Sequence, residues 1–405
     1  MAVVFVTVFV DLIGFGIILP MLPWFASHYG MKGVAVAAMA SVYSLMQFLC
    51  APFWGKLSDR IGRRPVMLVS LAGSTVSYLA LGFCDGYWAI FATRVFAGLF
   101  GANIGVASAY IADITTPENR SRGMGLIGAA FGLGFVLGPA LGALIIWFFE
   151  NPVHPERAYH AIGWVAGGIC GINFLVACWK LVESRSPNSD AGRATEPCSF
   201  ASGWSRAFSR PLVGYLIVLY FVFGFGFSNF EALFALLIQA NLHYDVMRGN
   251  LFLLFLGLVV AAVQGGLIGR LVQMFGERRL ILAGALIFSA GLVALPFVGH
   301  VLWLLAALFT IGIGQGLNRS SILGLISQSI GSDEQGEVLG VAQAAGSLAR
   351  IVGPLAGGLM FDHMGRMVPF VVAGALVFLT LLVGARWIFP TGKVEMSGQT
   401  QTGLP

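Results

Sequence analysis

Twelve runs of about twenty apolar residues, parted by short polar turns, restrict this chain more than any other feature of its sequence. Coiled as a helix at about 1.5 Å per residue, such a run matches the ~30 Å hydrocarbon core of a bilayer. Backbone N–H and C=O groups in lipid must pair within the protein, which leaves helices or a closed barrel. These runs show no period-two alternation, which selects helices. The chain is 58% hydrophobic and only 10% charged, against roughly a quarter charged in soluble domains. A water-soluble core is thereby excluded. The spans are expected near residues 2–25, 36–54, 66–84, 87–112, 123–147, 160–179, 211–238, 250–269, 280–298, 301–327, 338–361 and 368–389. The first carries Asp11 and two prolines without a basic leader or cleavage site, so it is expected to span rather than to be a signal peptide.

An even number of crossings puts both ends of the chain on one face. That face receives sixteen Lys and Arg residues from the loops and the opposite face four, a bias that places both termini in the cytoplasm. The net charge of +5 is therefore a topology signal and not a nucleic-acid surface. A long polar stretch from Lys180 to Arg210 divides the runs six and six and reads as a flexible linker. The expected division is 1–179 and 211–389 for two six-helix bundles, 180–210 for the linker and 390–405 for a disordered cytoplasmic tail. The five cysteines lack metal-ligand spacing and read as small core residues. No Walker loop, His-Glu-x-x-His or Gly-x-Ser-x-Gly motif is found, which argues against an ATP-driven pump and an intramembrane hydrolase. Neither enzyme activity nor a metal or cofactor is expected, and the chain is expected to be monomeric.

The halves repeat one another. Gly55-Lys56-Leu57-Ser58-Asp59-Arg60-Ile61-Gly62 aligns with Gly269-Arg270-Leu271-Val272-Gln273-Met274-Phe275-Gly276 at an offset of 214. Gly138-Pro139-Ala140-Leu141-Gly142 aligns with Gly353-Pro354-Leu355-Ala356-Gly357 at 215, as does Asn103 with Asn318. Parallel repeats of six spans place a solute site at their interface near the midplane, and permit alternating access by rocking one half against the other.

At these residues the chain resembles the major facilitator superfamily, and most of all its twelve-span drug:proton antiporters, the tetracycline exporters among them. The resemblance covers nearly the whole chain apart from linker and tail. Its strongest part is the loop Gly55-Lys56-Leu57-Ser58-Asp59-Arg60-Ile61-Gly62-Arg63-Arg64. Arg94 with Gly98 and Gly101 resembles the fourth-span motif, and Gly134, Gly138, Pro139 and Gly142 the fifth-span motif associated with antiporters. Asp11-Leu12-Ile13-Gly14-Phe15-Gly16 with Pro20 and Pro23 resembles the first span of the tetracycline exporters. The resemblance implies an all-α membrane protein of twelve helices in two pseudo-symmetric bundles. It also implies that Asp59 faces the eleventh helix when the cytoplasmic ends are closed, with Asp113 as a second acid in that cluster.

The physical roles expected follow residue by residue. In the signature loop Gly55 and Gly62 permit close packing and a tight reversal. Arg60, Arg63 and Arg64 hold the loop at the surface, and Asp59 suits the positive end of a neighbouring helix. The second copy has Gln273 at the position of Asp59, so the first is expected to be the stronger latch. Small residues at spacing four, Gly134, Gly138 and Gly142 with Pro139, and Gly353 and Gly357 with Pro354, let helices approach and slide as hinges. Ionisable groups inside lipid cost several kcal/mol unless paired or wetted, which makes them functional by default. Asp11 and Arg94 are expected within one turn of each other in depth, with Asp11 exchanging the proton and Arg94 setting its affinity. A static ion pair is the alternative. Glu231 is expected to carry a second proton, bind a cationic solute or reach the outer surface. Gln47, Asn103, Asn229, Glu231, Gln315, Asn318 and Arg350 are candidate cavity residues.

The function expected is secondary active export of a small amphipathic solute or drug in exchange for protons, from an inner or plasma membrane. A uniporter or symporter of a metabolite, sugar, lysolipid or organic anion is the first alternative. A non-transporting receptor is the second.

Overall fold

In a computed structural model, residues 2–101, 104–115, 117–149, 156–184, 200–330 and 335–388 are described, and among them there is helix and no strand. Asn103, most of the linker and the tail lie outside these residues. Twelve principal helices follow in order. The first half has α1 (Ala2–Ile18, carried on by a 3-10 turn and Leu22–His28), α2 (Gly33–Ile61), α3 (Arg63–Leu81), α4 (Tyr87–Phe100, resuming as Ile104–Ile114), α5 (Pro117–Phe149) and α6 (Glu156–Lys180). A short helix, Phe200–Ser209, leads into α7 (Pro211–Leu242). After it come α8 (Val246–Ala262, continued through a π turn to Ile268–Phe275), α9 (Glu277–Ala294), α10 (Val301–Gln328), α11 (Gln335–His363) and α12 (Val368–Ile388). Among the described residues ten helices are long and apolar enough to span a membrane; in α5 and α12 the apolar stretches are shorter, Val136–Phe149 and Val368–Gly384.

Several helices outrun their apolar stretches. α2 ends at Ile61 rather than near residue 54, so Gly55 is helical and the reversal falls on Gly62. Backbone pairing continues into the interface until a residue demands a conformation that a helix cannot supply. Gly62 takes φ +102 and Gly276, its repeat, φ +75, both in the region that favours glycine.

The repeat is visible in the packing. α1 packs on α5 and α6, α3 on α4 and α6, and α2 on α4. The second half reproduces each pair: α7 on α11 and α12, α9 on α10 and α12, and α8 on α10. The halves join through α2 against α11 and α5 against α8. Exposed tryptophans lie at both ends of the bundle, Trp179 where α6 ends and Trp88 and Trp303 where α4 and α10 begin, as at membrane interfaces.

We call the face where α6 ends and α7 begins the linker face, and the other the distal face. The contacts named between the halves run from the distal face to about mid-helix. Asn250 of α8 reaches Met21 beyond α1, Trp24 packs on Gly249, and Gly358 of α11 presses on Gly33, Val34 and Ala37. Ser41 Oγ donates to Ile351 O at 2.8 Å, nine residues into α2. Toward the linker face, Gly55 and Gly269 at the repeated loops, Gly265 and Gly266 in α8 and Gly340 in α11 have nothing within 4 Å of where a Cβ would project. Among the described residues the halves thus meet at the distal end.

Candidate functional site

α1 is apolar but for Thr7 and Asp11, and it is more enclosed than α2, α3, α4 or α6. Its small residues decide where Asp11 sits. Gly16 lies against Gly134 O and Gly138 Cα of α5, at distances that leave no room for a Cβ, and Leu12 abuts Gly134. On another side Gly14 faces Tyr78 of α3 and Cys170 of α6. Asp11 is consequently buried, with 7% of its surface exposed. Gly142 continues the same stripe to Ile17, Met21 and, across the interface, Asn250. Pro139 is buried within this continuous helix.

Arg94 projects from α4 into the same core and is 2% exposed. Its guanidinium carbon lies 5.6 Å from the centre of the Tyr78 ring, a cation–π contact worth about 0.5–2 kcal/mol, more when desolvated. That is less than the several kcal/mol that burying the charge costs. Nε and Nη2 have no hydrogen-bond partner among the described residues, so donors remain for a carboxylate. Tyr43 of α2, buried and packed on Phe15, completes the group; Tyr43 and Tyr78 both lie within electrostatic reach of Asp11 and of Arg94.

The second half holds a different cluster. Glu231 of α7 and Arg350 of α11 are surrounded by protein yet keep part of their surface open. Arg350 Nη2 donates to Ser347 Oγ at 3.0 Å, and Tyr220 packs against Gly346 in the same turn. Glu231 is within electrostatic reach of Arg350 and Arg319. Ser228, one turn before Glu231, donates to Ala349 O at 3.0 Å and lies against Gly353, which fixes α7 on α11. Gly357 lies against Asn229 and Leu233 in the same seam, and Pro354 sits inside the helix. Tyr43 also lies within reach of Arg350, so the two clusters approach each other where α2 crosses α11.

The uncharged polar candidates are placed as follows. Gln47 Nε2 donates to Gly101 O at 2.8 Å, joining α2 to α4. Asn229 is fully buried and donates to Pro369 O at 3.0 Å. Asn318 donates to Gly314 O within its own helix and abuts Gly284, and Gln315 beside it is buried.

At the linker face Arg63 is the hub of the signature loop. Its Nη1 meets Asp59 Oδ1 at 2.6 Å and Ser58 Oγ at 2.7 Å, and its Nε meets Asp113 Oδ2 at 3.2 Å. Arg64 Nη2 donates to Cys178 O at 2.9 Å, while Arg60 is exposed. Among the described residues no contact joins Asp59, 61% exposed, to α11. Glu183, just past α6, accepts from Arg63 N at 2.9 Å and Arg64 N at 3.1 Å, and so caps α3. Gly62 lies against that carboxylate and leaves no space for a Cβ. Sequence reasoning missed Glu183; the signal was the first acid after the sixth span, set between Lys180 and Arg185. At the repeat positions the second half has Glu277 and Gln328 for Arg63 and Asp113. Gln328 Nε2 donates to Glu277 Oε1 at 3.1 Å beside a cavity of about 600 Å³, so the hydrogen bond is kept without the cation.

A duplicated helical bundle with charges at its interface defines a membrane transporter, and comparison with known proteins identifies its family. The Major Facilitator Superfamily model matches residues 4–354 and 265–403, and the chain belongs to that superfamily. It is 33% identical over 361 residues to the class C tetracycline resistance protein of Escherichia coli, covering 86% of each chain. The crystal structure of the human organic anion transporter MFSD10 matches with a TM-score of 0.66 at 26% identity, over 94% of this chain and 98% of that one. The nucleoside transporter NupG matches with a TM-score of 0.77 over 96% and 99%; at 10% identity that likeness concerns the fold alone. The protein is a multi-pass membrane transporter of this superfamily.

Proposed function

We propose that the chain exports a small amphipathic solute or drug in exchange for protons, by alternating access between bundles 1–179 and 211–389. The linker face, which gathers the basic loop residues, is cytoplasmic in this reading, and the membrane is an inner or plasma membrane. The 33% identity to a tetracycline resistance protein supports the drug class. The observation that carries coupling is the burial of Asp11 in the core that also holds Arg94, Tyr43 and Tyr78, one helix crossing from Arg350. A carboxylate sealed from water is stable ionised beside a cation and stable neutral without one, so movement of α1 or α4 changes its proton affinity. Solute and proton then compete across the interface, with Asp11, Arg94 and Glu231 on the proton side and Arg350 and Glu231 in the solute cleft. Gly134, Gly138, Gly142, Gly353 and Gly357 serve as the sliding seams and the Asp59–Arg63–Asp113 loop as the cytoplasmic gate. In inverted vesicles carrying Asp11→Asn, proton-driven uptake of a fluorescent tetracycline falls to background while facilitated exchange persists; undiminished proton-driven uptake excludes the coupling role.

One observation favours a second reading. Within the spans of the second half Arg319 and Arg350 outnumber Glu231, whereas Asp11 balances Arg94 in the first. A net cation at the cleft suits a solute with an anionic group, as the name of the MFSD10 relative says of that protein. Transport unaffected by an imposed pH gradient, with preference for aromatic carboxylates over lipophilic cations, selects this reading.

A further inference from the structure

We propose that Asp362 is the distal-face latch of the transport cycle, a carboxylate of the second half that caps α2 of the first half only while that face is closed. The proposal rests on the alternating-access reading above. The first N–H groups of a helix have no partner within it, and they form its positive end. At the start of α2 the N-cap residue is Lys32, which has no acceptor, and no side chain of its own segment caps the helix. Gly33 N and Val34 N donate instead to Asp362 Oδ1 and Oδ2, at 2.9 Å each. These are two charge-assisted bonds to one carboxylate, made across the interface by residues 329 and 328 positions apart.

The surroundings fit the contact. A Cβ on Gly33 would lie 2.9 Å from Asp362 Oδ1, and one on Gly358 would lie 2.8 Å from Gly33 O. Two glycines thus let the last turn of α11 close on the first turn of α2. The repeat supplies an internal comparison. α8, the counterpart of α2, is capped by its own Asp245, which accepts from Arg248 N at 2.9 Å. In α5 the counterpart of Asp362 is Trp147, which has no carboxylate. Separation of the distal ends therefore leaves α8 capped and strips α2 of the one cap found among the described residues.

The test uses the full chain in lipid nanodiscs, cysteine-free except for spin labels at positions 88 and 297. Both are exposed on the distal face, one in each half. Electron–electron distance measurements give the ratio of open to closed distal ends. Asp362→Ala raises that ratio about tenfold, the size that follows from losing an N-cap. Asp362→Asn, which keeps one acceptor, raises it less. Lys32→Asp added to Asp362→Ala gives α2 a cap that travels with it. Thermal stability recovers and the ratio stays shifted toward open. An unchanged ratio in Asp362→Ala overturns the latch, and so does a ratio returned to wild type by Lys32→Asp, which makes Asp362 a helix cap alone. Distal ends that never separate in the wild type, with or without a pH gradient, overturn alternating access and the latch with it.

Discussion

A guanidinium buried to 2% exposure against a tyrosine face, in the core that also buries Asp11, is the most demanding single residue among those described. The Tyr78 contact offsets only part of its desolvation, and the opposite charge of Asp11, buried in the same core, is expected to supply the remainder. Removing one of two such charges leaves the other buried without compensation, at about 3–5 kcal/mol. Removing both leaves a neutral core of similar volume, which is often no less stable. Arg94→Gln is therefore expected to lower the thermal unfolding temperature markedly, and Asp11→Asn with Arg94→Gln to restore most of it. Proton-driven transport stays absent in both. Unfolding scans in detergent and proteoliposome uptake on the same preparations check the cycle, and a double variant as unstable as the single one refutes the compensation.

Within the helices, small residues set how closely α5 approaches α1 and α11 approaches α7. Gly138 lies directly on Gly16, and an added side chain has only backbone to displace. Gly138→Val is expected to destabilise the bundle by about 1–3 kcal/mol through overpacking and to slow transport at least tenfold. Gly168→Ala on α6, where nothing lies within 4 Å, changes neither unfolding nor uptake. Equal effects at the two sites would show that glycine content rather than close approach matters. The Gly138 stripe was legible because spacing four on a helix needs no knowledge of the partner. The twelve crossings and the burial of Asp11 and Arg94 were legible too, since a charge in an apolar run is conspicuous. Helix ends were less so: hydropathy stops near residue 54 of α2, but hydrogen bonding runs on to Gly62. Glu183, Tyr43 and Asp362 were not legible in their roles. Each is ordinary in its own segment and acquires its part from a helix far away in sequence, as Asp362 does from Gly33.

On the scale of the whole molecule, α2 and α11 form one seam with a carboxylate at each end. Asp362, in the last turn of α11, is engaged at the distal face. Asp59, in the last turn of α2, is 61% exposed and bonded only to the neighbouring Arg63 among its described contacts. A pair so exposed contributes little to this arrangement, and Asp113 and Ser58 hold Arg63 in any case. Loss of Asp59 therefore leaves the distal-closed arrangement nearly as stable as before and weakens the opposite one, in which Asp59 would meet the start of α11. Loss of Asp362 does the reverse. The twenty-six residue steps from Gly33 to Asp59 separate the two ends by about 39 Å of helical rise, beyond the range at which such effects interact. Asp59→Ala is expected to lower the open-to-closed ratio at the distal face and Asp362→Ala to raise it. The double variant should return the ratio to within about threefold of wild type and transport faster than the slower single variant. The same distance measurement on all four proteins decides the matter: a double variant that keeps the ratio of either single variant means that the two carboxylates do not act on one equilibrium.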